Sequence, residues 1–66
     1  MEDVYPILRF FAYEHLPGRL QTVSVPLCKL AETMASQLPL CAETAEGLRK
    51  LLEAKDCFVR AALLEK

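Results

Sequence analysis

Six residues have the side-chain chemistry to hold an anion or a nucleobase: Tyr13, His15, Ser24, Arg49, Lys55 and Arg60. Lys55 is the most telling. At helical spacing Leu48, Leu51, Leu52, Phe58, Val59 and Ala62 form one apolar stripe, and Lys55 falls inside it. Glu46, Arg49, Lys50, Glu53, Asp56 and Arg60 form the opposite, polar face. An ammonium buried without a partner costs several kcal/mol, so Lys55 must snorkel to a rim, pair with a carboxylate, or meet an anion from elsewhere.

The other five carry similar alternatives. Arg60 stands four residues after Asp56, the spacing of a surface ion pair, or it presents a guanidinium to a phosphate. Arg49 has Glu46 and Glu53 as neighbours and the same two readings. Tyr5, Phe10, Phe11 and Tyr13 are four of the five aromatic residues. They form either a plug over the end of a helical fold or a platform on which a base stacks, with His15 beside it. Ser24 either bonds back to an upstream carbonyl or contacts a ligand, and Gln21 shares that choice.

Catalysis has little support. A single histidine accompanies no serine or cysteine elbow, no glycine-rich phosphate loop exists, and the carboxylates lie on polar faces. Three cysteines without CxxC spacing, beside one histidine, favour neither a disulfide framework nor a metal site. The expectation is a chain that is not an enzyme and needs no cofactor.

The elements that must position these residues are helical. No segment alternates as a strand does, and no hairpin-turn dipeptide occurs. A short helix is expected over residues 3–15, capped by Asp3 with Pro6 in its first turn. A longer one is expected over 17–38. There Leu16, Leu20, Val23, Leu27, Leu30, Met34 and Leu38 recur like a coiled-coil seam, and Pro26 should introduce a kink near Thr22 to Ser24. After the proline-marked turn Gln37 to Cys41, a last helix is expected over 42–64, with Glu65 and Lys66 frayed. Gly47 inside it costs about 1 kcal/mol relative to alanine, which suggests that another helix passes close by.

Sixty-six residues allow one domain, yet 53% of them are hydrophobic. That is more apolar material than such short helices bury within one chain, so symmetric self-association is expected through the Leu16 to Leu38 seam and the Leu48 to Ala62 stripe. The net charge is −1 with no basic block, which argues against a duplex nucleic-acid binder. Neither a signal-peptide pattern nor a membrane-length apolar run is evident, so a cytoplasmic protein is expected. The fold class is therefore all-α: an antiparallel helical hairpin with a short N-terminal helix, assembling as a symmetric homo-oligomer.

Between Phe10 and Leu63 the chain resembles a family. The segments are Tyr13-Glu14-His15-Leu16-Pro17, Leu20-Gln21-Thr22-Val23-Ser24, Leu48-Arg49-Lys50-Leu51-Leu52-Glu53-Ala54-Lys55-Asp56 and Val59-Arg60-Ala61. They are similar to the helical hairpin of the phage anti-CBASS and anti-Thoeris sponges. The resemblance implies a cytoplasmic, non-catalytic oligomer, often a hexamer. It would sequester a cyclic di- or trinucleotide, or a cyclic ADP-ribose-type signal, used in bacterial anti-phage defence. It also implies a ligand between protomers, with Tyr13 matching the family's stacking tyrosine and Arg60-Ala61 matching its arginine-alanine pair. One position departs: the family's phosphate-binding lysine falls at Cys28, and Lys29 is turned from it by about 100°. Either the register slips by one to Lys29, or phosphate binding moves to Lys55, Arg49 or Arg60. The alternative function is a small helical interaction module or phage regulator that binds a host protein.

Overall fold

The computed structural model describes residues 5–64, and the expected roles of Asp3, Glu65 and Lys66 lie outside that range. It is all-α. A 3-10 helix, η1 (Pro6–Phe11), precedes two α-helices, α1 (Gly18–Gln37) and α2 (Ala42–Leu63), which pack against each other. Among the described residues there is no strand.

The N-terminal element differs from the expected helix over 3–15. It is a six-residue 3-10 helix ending at Phe11, with Pro6 supplying its start. Too short to repay α-helix nucleation, it gives way to extended backbone at Ala12 (φ −58°, ψ 144°). Tyr13 and His15 consequently sit on the connection into α1, where the Leu16 amide bonds the Tyr13 carbonyl at 3.0 Å.

Helix α1 begins after Pro17, whose carbonyl accepts from the Leu20 and Gln21 amides at 2.9 and 3.1 Å. The Gln21 side-chain amide donates to the Leu16 carbonyl at 2.9 Å, so Gln21 is committed to this end. The helix runs without interruption from Gly18 to Gln37, Pro26 included. The turn into α2 is tied at Pro39. Its carbonyl accepts from the Thr44 hydroxyl at 2.8 Å and, at a longer 3.4 Å, from the Tyr5 hydroxyl. At the other end the Arg19 guanidinium donates to the Ala62 carbonyl at 3.1 Å, so the start of α1 lies beside the end of α2 and the pair is an antiparallel hairpin.

The buried line of α1 shares only Leu20 with the aliphatic seam. It is Leu20, Ser24, Cys28 and Ala31, mostly small residues that let α2 approach. Val23, Leu27 and Met34 are only half-buried, while Leu30 and Leu38 are exposed. The reason is angular. At about 100° per residue the long aliphatics sit to one side of the Ser24–Cys28–Ala31 line, on the flank of the hairpin. The core joins Tyr5 and Phe11 to Cys28, Ala31 and Leu48, with Leu8, Tyr13 and Leu52 packed against it. Burying a ring such as Phe11 contributes about 1.5–3 kcal/mol, so η1 is held by its aromatics.

Candidate functional site

The six candidate residues divide into three groups along the hairpin. Tyr13, His15 and Arg60 belong to its open end, where the Arg19–Ala62 bond joins the two helices. Tyr13 is half-buried with its ring against the core, whereas His15 and Arg60 are exposed. The expected Asp56–Arg60 pair is absent among the described contacts. The Arg60 guanidinium donates instead to the Cys57 sulfur at 3.4 Å, because Asp56 is taken by Lys55.

Ser24 and Lys55 form the middle group. The Lys55 side chain is only 13% exposed, and its ammonium lies 3.0 Å from the Asp56 carboxylate. The carboxylate therefore comes from the next residue on the same helix and not from the facing helix. The Ser24 hydroxyl is buried and has no hydrogen-bond partner among the described residues; the expected bond to an upstream carbonyl is missing. Counting along both helices from the Arg19–Ala62 contact sets Ser24 roughly level with the Lys55–Val59 turn of α2.

Arg49 stands apart, on α2 toward the turn. It donates through Nε to Glu46 at 3.2 Å and through Nη1 to Glu53 at 2.6 Å, and Lys50 lies 3.4 Å from Glu46. The bonds from Arg49 hold the Glu46 carboxyl down at about 2, and its carboxylates raise Arg49 further above its already high value. Arg49 is thus saturated by its own helix and has little to offer an incoming phosphate.

Cys28 is buried, and burial followed by the Glu32 carboxylate pushes its thiol up, while Lys29 is exposed one residue on. Position 28 thus carries no cation, and among the described residues Lys55 on α2 is the one cation that is not exposed.

Two features, Arg19 and an apolar groove, were not read from the sequence, and Phe10 was named there only within the aromatic cluster. Arg19 lies in the first turn of α1, where the helix dipole disfavours a cation; its bond to a C-terminal carbonyl of α2 offsets that cost. Phe10, 61% exposed, is a free ring beside the buried Phe11. An apolar groove of about 570 Å³ opens between the helices, lined by Leu30, Met34 and Leu38 of the α1 side and Gly47, Leu48 and Leu51 of α2. The alternation of Leu30 and Ala31 around α1 held the only clue to which flank is left bare.

No family model, curated protein or solved structure matches the chain. Among the described residues no three His, Cys, Asp or Glu side chains are grouped to hold a metal ion, and no helix is long and apolar enough to cross a membrane.

Proposed function

We propose that this chain is a non-catalytic sponge that sequesters a cyclic oligonucleotide, or a cyclic ADP-ribose-type signal, of bacterial anti-phage defence in the cytoplasm of an infected cell. The observation that carries the reading is Lys55. A lysine in a packing face needs a compensating anion, and here it has one neighbouring carboxylate, itself half in water. A phosphate between protomers would supply the second. The Ser24 hydroxyl at the same level is fully buried and drops out of the set, whereas Arg60 and His15 at the open end are exposed cations or donors for it. Tyr13 and Phe10 offer rings for stacking, and Arg49 drops out of the set because its own carboxylates hold it.

Calorimetric titration with cyclic di- and trinucleotides and with cyclic ADP-ribose tests this. Saturable heat with one of them is expected. No heat with any overturns it. The apolar groove favours a second reading, a small helical module or phage regulator that docks on a host protein through that groove. In that case nucleotides give no heat, and the groove is the part whose mutation costs activity.

A further inference from the structure

We draw no further inference here: the strongest candidate, the exposed Cys41 thiol at the start of α2 on the rim of the apolar groove, is a lone cysteine at a helix N-terminus, and nothing in the structure shows what ligand or partner meets it or covers that groove.

Discussion

Lys55 is worth substituting because its two roles give opposite results. As half of an ion pair in a packing face it has a costly desolvation, and Lys55→Met would leave stability unchanged or raise it. As a phosphate ligand it supplies a charge-assisted bond worth about 1.5–3 kcal/mol, so the same change should weaken nucleotide binding by roughly 10- to 150-fold while the subunit count survives. Calorimetry and sedimentation on one variant separate the two, and binding that persists at full strength removes Lys55 from the site. Ser24 makes a second residue-scale test. An orphaned hydroxyl in the interior costs about 1–3 kcal/mol. Ser24→Ala removes it, leaves almost no void, and adds helix propensity, so the unliganded protein should melt about 4–8 °C higher. A lower melting temperature would mean that the hydroxyl is bonded after all.

At the scale of the element, α2 carries its own electrostatic brace. Glu46, Arg49 and Glu53 are an i, i+3 and i, i+4 set on the exposed face. The Arg49 hydrogen bonds depress the Glu46 carboxyl from 4.5 to about 2. A depressed carboxyl contributes stability that is present above its unfolded value and is lost as pH falls through the folded one. The contribution of Glu46 to α2 should therefore persist through pH 4.5 and fade toward pH 2. Carbon-13 titration of the Glu46 carboxyl at low salt should show a midpoint near 2, and Arg49→Gln should return it toward the ordinary glutamate value of about 4.3. A wild-type midpoint already in the ordinary range would show that solvent screening defeats the brace. This set was legible from spacing alone, since i, i+3 and i, i+4 neighbours on a helix face each other by construction. Asp56 was not. Lys55 and Arg60 compete for it, and only burial of Lys55 decides which cation wins.

At the scale of the molecule, the helical hairpin and its turn followed from period and proline placement, because both act locally. The N-terminal element did not: Pro6 marks a helix start, but whether the chain continues as α or 3-10 depends on burying Phe11 beneath the hairpin, a tertiary event. The seam on α1 misled for a related reason. Periodicity finds the apolar side of a helix, yet that side here spans two adjacent strips. The small strip (Ser24, Cys28, Ala31) faces α2, and the large strip (Val23, Leu27, Leu30, Met34) flanks it. A chain of this length has a total stability of only about 3–10 kcal/mol, and half-exposed leucines contribute little of it in the single copy. If a second copy covers the large strip, as the proposed function requires of its protomers, it adds apolar burial that a monomer lacks, and folding and assembly become one equilibrium. The melting temperature should then rise with protein concentration, as mass action requires for any partner that binds only the folded chain. Thermal scans across a wide dilution series test this. In Leu30→Asp, which puts a charge on the large strip, the curves should collapse onto one concentration-independent midpoint at or below the most dilute wild-type value. A wild-type midpoint that ignores concentration would mean that a single hairpin, with its groove open, is stable by itself.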